Sequence, residues 1–131
     1  MKLTSSAATL ALVLSSALLL NGCGGGGDDE AGSPTAFSVS PTTLTVNVPT
    51  GSTGCYVGYV GTIFVYGGSA PYRLDNTAPD AVQLDRATVD ERGGSFNVSF
   101  INGICIAPAT INIVDKLDHV VTLTLNNKIG T

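Results

Sequence analysis

Ser95-Phe96-Asn97-Val98-Ser99-Phe100-Ile101 alternates polar and apolar side chains through Phe100. A strand turns successive side chains to opposite faces, so this stretch predicts a strand with Phe96, Val98 and Phe100 buried. The same period of two recurs on both sides between clusters of glycine, proline and asparagine, and no window of useful length carries helical spacing. Upstream, Tyr56 to Tyr66 is the longest β-branched and aromatic run. Both of its phases carry apolar groups; taking Ile63 and Val65 as inward leaves Phe64 and Tyr66 on the other face. Gly58 and Gly61 interrupt that run and predict a bulge. Phe37-Ser38-Val39 and Leu44-Thr45-Val46-Asn47-Val48 open the domain, split by Pro41 where an edge strand would switch sheets, with Leu44, Val46 and Val48 inward. Tyr72-Arg73-Leu74 and Val82-Gln83-Leu84 are short strands, and Arg86 to Gly94 reads as a polar excursion. Ala109 to Val114 and Val121 to Leu125 finish as a hairpin turned by Asp115-Lys116-Leu117-Asp118.

Seven or eight strands at this spacing predict an all-β, two-sheet sandwich over residues 37–131, with a small closed barrel as the other architecture considered. The run Ile63-Phe64-Val65-Tyr66-Gly67-Gly68-Ser69-Ala70-Pro71-Tyr72 resembles the bacterial immunoglobulin-like domains, in which a strand is followed by Gly-Gly, a short turn and Pro-Tyr. Gly94 to Val98, Ile111 to Asp115 and Val120 to Leu123 are similar to later strands of those domains. The resemblance implies an immunoglobulin-like sandwich and says much less about function. Two features depart from it: Leu117-Asp118 stands where the closing turn usually has a glycine, and Cys55 and Cys105 lie at strand ends beside loops.

The N-terminal segment has a different character. Lys2 precedes a small and apolar run from Ala7 to Leu20, the layout of an export signal, and the run is short of the ~20 apolar residues that cross a bilayer core. Leu20-Asn21-Gly22-Cys23 resembles the signal of bacterial lipoproteins, with Asn21 bulkier than the usual occupant. That resemblance implies cleavage between Gly22 and Cys23, removal of residues 1–22, and fatty acylation of the Cys23 sulfur and of the freed amine. Two or more chains anchor stably, at about 0.8 kcal/mol per buried methylene. Gly24, rather than Asp, at the second mature position implies sorting to the outer membrane. Residues 23–36 read as the lipidated cysteine and a flexible tether with three carboxylates, averaging roughly 20 Å end to end. Its four consecutive glycines follow no strand and precede no Gly-Lys-Ser/Thr, so they do not read as a phosphate loop.

Assigning Cys23 to lipid leaves Cys55 and Cys105 as an even pair in an oxidising compartment, which predicts a disulfide; two reduced, buried thiols are the alternative. Outside the signal, Arg73, Arg86, Arg92, Lys116 and Lys128 face ten acidic residues, an excess that disfavours nucleic acid. The single histidine, His119, reads as an exposed turn residue, with no serine elbow nearby to suggest hydrolysis. The carboxylates are scattered through turns; Asp115 with Asp118, or Asp90 with Glu91, would make at most a weak calcium site. Two cysteines and one histidine make a poor metal set. Asn97-Val98-Ser99 fits a glycosylation triplet but reads as an outward strand asparagine.

These readings predict a non-enzymatic envelope lipoprotein without cofactor or metal, held to the membrane through Cys23. Phe64 and Tyr66, with Tyr56 beside them, form the candidate contact face for an envelope protein or glycan, unless the second sheet covers them. The alternative expectation is an accessory subunit whose sheet edge or aromatic face meets an envelope assembly.

Overall fold

The computed structural model describes residues 36–130. The expectations for the signal, the Gly22–Cys23 cleavage, lipidation of Cys23 and nearly all of the tether therefore lie outside the described residues.

Nine strands follow one another: β1 (Ser38–Ser40), β2 (Thr43–Val48), β3 (Gly58–Tyr66), β4 (Tyr72–Asn76), β5 (Val82–Leu84), β6 (Thr88–Val89), β7 (Ser95–Phe100), β8 (Ile106–Val114) and β9 (Val120–Ile129). They form a four-stranded sheet in the order β1-β3-β7-β5 and a five-stranded sheet in the order β2-β9-β8-β4-β6. The first order reproduces A-B-E-D of the immunoglobulin sandwich and the second contains C-F-G as β4-β8-β9, flanked by β6 and β2, so the fold is the two-sheet sandwich expected rather than a closed barrel. Pro41 falls where the chain leaves β1 in one sheet for β2 in the other.

Alternation builds the core. Ile63, Val65, Phe96, Val98 and Phe100 of one sheet meet Leu74, Ile111, Ile113, Leu123 and Leu125 of the other, all buried. Leu44 and Val46 point toward this core but stay half-buried, because β2 is an edge strand that pairs only with β9, in parallel. Gly61 lets the sheets close here: a Cβ on it would lie 3.3 Å from Cδ2 of Leu44.

Three local expectations are corrected. The segment Arg86 to Gly94 is not only a polar excursion: it contains β6, which pairs with β4 and buries Val89. The strand placed from Tyr56 starts at Gly58, with Tyr56 in the preceding loop. The closing hairpin is longer at its open end than Ala109 and Leu125, because β8 begins at Ile106, passes an irregularity before Ala109, and β9 continues to Ile129 along β2.

The two poles of the sandwich are fixed by buried polar groups. At the pole where the described chain enters, Phe37 stacks on Tyr72 with ring centroids 5.5 Å apart, and the buried Tyr72 hydroxyl donates to the carbonyl of Gly67. Burial pushes the Tyr72 phenol above its ordinary pKa, against the pull of Arg92. Asp115 is buried beside them and accepts four bonds. Its Oδ1 takes the backbone N–H groups of Leu117 (2.9 Å) and His119 (2.8 Å), and its Oδ2 takes that of Ser69 (3.0 Å) and contacts His119 Nδ1 (3.1 Å). This carboxylate ties the β8–β9 turn to the β3–β4 loop, alongside the Lys116 N–H, which donates to the carbonyl of Ser69 at 2.8 Å. Gly68 makes the contact possible: its φ is +65°, and a Cβ there would lie 2.8 Å from the Phe37 ring and 3.1 Å from Asp115 Oδ2.

At the opposite pole, Cys55 and Cys105 form a disulfide. It joins the segments leading into β3 and β8, strands of different sheets, so it closes the sandwich at its end rather than through its middle. Cys105 is exposed, unlike the two buried thiols of the alternative. Asn127, fully buried on β9, completes this pole: its Oδ1 accepts from Tyr56 N (3.0 Å), and its Nδ2 donates to the carbonyls of Tyr56 (2.9 Å) and Ile104 (3.3 Å). Both partners are immediate neighbours of the bridged cysteines. Asn127→Ala should cost about 2 kcal/mol, measured by chemical denaturation, because it removes three hydrogen bonds made by a fully buried side chain to the part-buried backbone of Tyr56 and Ile104. A cost below about 0.5 kcal/mol would show that the loops satisfy one another without it.

Candidate functional site

The outer face of the four-stranded sheet carries the aromatic residues singled out from the sequence. Phe64 and Tyr66 alternate with buried Ile63 and Val65, so the pleat turns them away from the core, and the second sheet does not cover them. Tyr59 shares this face, and the three are 43%, 46% and 58% exposed for Phe64, Tyr66 and Tyr59.

Tyr59 is on the opposite phase from Phe64 by simple alternation, and the bulge explains how it reaches the same face. Tyr59 pairs with Ser99 and Gly61 with Val98, so Val60 is the extra residue and resets the alternation by one. The glycines signalled that bulge in the sequence, but its exact place could not be read from local pattern. Tyr56 is placed differently from the expectation: it sits in the loop before β3, where its hydroxyl donates to the Tyr59 carbonyl at 3.2 Å.

The strands beside β3 give the aromatic row a polar border. Ser38 and Ser40 of β1 lie opposite Tyr66 and Phe64, while Ser95, Asn97 and Ser99 of β7 lie opposite Phe64, Thr62 and Tyr59. Gln83 of β5 continues the row beyond Ser99. Among the described residues, no Asp, Glu, Lys or Arg occupies an outward position on β1, β3 or β7.

A hydrogen-bond chain fixes Tyr59. Asp85, just past β5, accepts from Asn97 N at 2.7 Å and from Asn97 Nδ2 at 3.3 Å. This turns the amide oxygen of Asn97 toward Thr62, whose hydroxyl donates to it at 2.7 Å. Thr62 Oγ1 is then left as acceptor for the Tyr59 hydroxyl at 2.8 Å. Burial presses the Asp85 carboxyl upward in pKa, but the Asn97 N–H and the Arg86 guanidinium more than offset it and hold it below the ordinary value. The anion that orders the chain is thus kept charged. Asn97 is exposed as expected, and its amide is engaged in this network.

The other face contrasts with this one. The outer surface of the five-stranded sheet carries Arg73, Asp75 and Lys128, and among the described residues it has no aromatic side chain. Its polar groups partly satisfy each other, Thr122 donating to Asn112 at 3.0 Å and Asn126 to Thr45 at 3.2 Å.

The remaining candidates are not drawn together. Asp115 spends both oxygens on its four contacts, and Asp118 faces Arg73 at 3.3 Å, so the two do not form a shared calcium site. Asp90 accepts from the Thr88 hydroxyl at 3.5 Å. His119 is exposed in the turn with its ring on Asp115. No group of three or more metal-ligating side chains occurs among the described residues.

The chain matches no family model, no curated protein and no solved structure. The chemistry of the two faces is therefore the guide to what the domain does.

Proposed function

We propose that the protein is a bacterial envelope lipoprotein anchored through acylated Cys23, whose non-catalytic immunoglobulin-like sandwich serves as a binding module. The observation that carries the binding role is the uncovered row of Tyr59, Phe64 and Tyr66 on one sheet face. Large aromatic side chains left in water are costly to a monomer and mark contact surfaces. The anchoring role rests on Leu20-Asn21-Gly22-Cys23 behind the export run.

The architecture suits presentation. A tether from Cys23 would join the sandwich at Phe37, at the pole that holds the Asp115 turn. The aromatic row runs along β3 between the two poles. The accessory-subunit alternative would use the same face or the free edge of β2, and stoichiometric co-purification of one envelope protein with the intact lipoprotein would select it.

Cys23→Ser tests the anchor directly. The parent should sediment with membranes and carry the mass of its acyl chains, while the variant should lose that mass and leave the membrane fraction. Equal masses and equal partition in the two proteins would refute the anchoring role.

A further inference from the structure

We infer that the outer face of the four-stranded sheet binds an uncharged polysaccharide chain, laid along β3 across Tyr59, Phe64 and Tyr66. This inference rests on the reading of that face as a binding surface and names its ligand class.

The face joins two kinds of group that a sugar polymer needs together. A pyranose ring has an apolar C–H face and a polar rim, so it is held by stacking on a flat ring while its hydroxyls find donors and acceptors alongside. Phe64 and Tyr66 are two residues apart on one strand and so stand roughly 7 Å apart on one side of the sheet. Tyr59 extends the row toward the disulfide pole. Ser38 and Ser40 flank it on one side and Asn97 on the other, small hydroxyl and amide groups that leave the rings proud of their border.

Charge selects among ligands. The outward positions of these three strands carry no ionised side chain among the described residues, and the Asp85–Arg86 pair at the rim balances itself at 3.2 Å. A polyanion would find no cation on the face, whereas a neutral chain needs none. The border also differs from that of a protein contact centre, which is enriched in arginine and methionine beside its aromatics and depleted in serine; the outward positions of β1, β3 and β7 hold serines and neither of the former.

Preorganisation adds to the case. The relay from Asp85 through Asn97 and Thr62 fixes the Tyr59 hydroxyl, and Tyr56 bonds its backbone carbonyl, so that ring is ordered before any ligand arrives. A ring already held in place loses less freedom on binding. Asp85 is on this account a positioning residue, acting on Tyr59 through two others.

The test uses the purified full chain in detergent, titrated with cellohexaose and dextran as neutral probes and heparin as the anionic one. At least one neutral probe should bind and heparin should not. Phe64→Ala and Tyr66→Ala should each weaken that binding roughly tenfold or more, with melting temperatures close to the parent's. Asp85→Asn should weaken it less and broaden the Tyr59 ring resonances. Arg73→Ala, on the opposite sheet, should leave it unchanged. Failure of both neutral probes, binding of heparin alone, or neutral binding that survives both aromatic substitutions would overturn the inference. Crosslinking from position 66 in intact cells that captures one envelope protein stoichiometrically would also overturn it, while leaving the face a binding surface and the anchored-module reading intact.

Discussion

Replacing Cys55 and Cys105 together with serine should destabilise the domain by about 4 kcal/mol and lower its melting temperature by roughly 20 °C. The bridged residues are 50 apart in the chain, and the expected loss is that of a loop of this length in the unfolded ensemble. The native state should change little, because Asn127 holds the backbone of Tyr56 and Ile104 independently of the sulfurs. The effect is therefore predicted to come from the unfolded side. Guanidinium unfolding distinguishes this account: the midpoint should fall while the slope rises, since the uncrosslinked chain exposes more surface when unfolded. An unchanged midpoint would mean that the bridge contributes nothing beyond the geometry Asn127 already sets.

Asp115→Ala is expected to be the most damaging single polar substitution. It removes the acceptor for the backbone N–H groups of Ser69, Leu117 and His119 and leaves the β8–β9 turn held to the β3–β4 loop by the backbone bond from Lys116 to Ser69. Three part-buried donors lose their charged acceptor together, so the melting temperature at neutral pH should fall by roughly 10–20 °C. The direction of its titration supplies a second readout. Burial alone would raise the Asp115 pKa, but the His119 N–H and ring, with the N–H groups of Ser69 and Leu117, more than offset it and hold it below the ordinary value. A depressed folded-state value means that this stability is fully present above the unfolded carboxyl pKa of about 4 and is lost as pH falls through the folded one. The parent should thus lose stability steeply in acid, and Asp115→Ala should lose part of that slope. Some slope should remain, because Asp85 is depressed in the same direction. A variant whose acid slope equals the parent's would show that Asp115 does not carry this linkage.

Much of the fold was legible because side-chain alternation is local. Phe96, Val98 and Phe100 face inward, as do Ile63 and Val65, and Phe64 and Tyr66 face outward, each set by the strict period of an extended chain. Pro41 marked the change of sheets, and Gly58 with Gly61 marked an irregularity in β3, because both residue types limit what a ladder can do. The site was legible only in part. Phe64 and Tyr66 follow from phase alone, whereas Tyr59 belongs to the other phase until one bulged residue is placed between it and Gly61.

By itself, then, the sequence determined the all-β class, the inward and outward sets of the long strands, and an even pair of cysteines once Cys23 was set aside. Tertiary structure alone decided that the second sheet leaves the aromatic row uncovered, that β2 runs parallel to β9, and that Val89 of a polar-looking segment is buried. It also decided that Asp115 and Asn127 are buried hubs rather than surface polar residues. The physical reason is range. A strand's pleat is written in neighbouring residues, but a buried carboxylate or amide is tolerable only where distant backbone groups converge to satisfy it, and that convergence exists only in the folded chain.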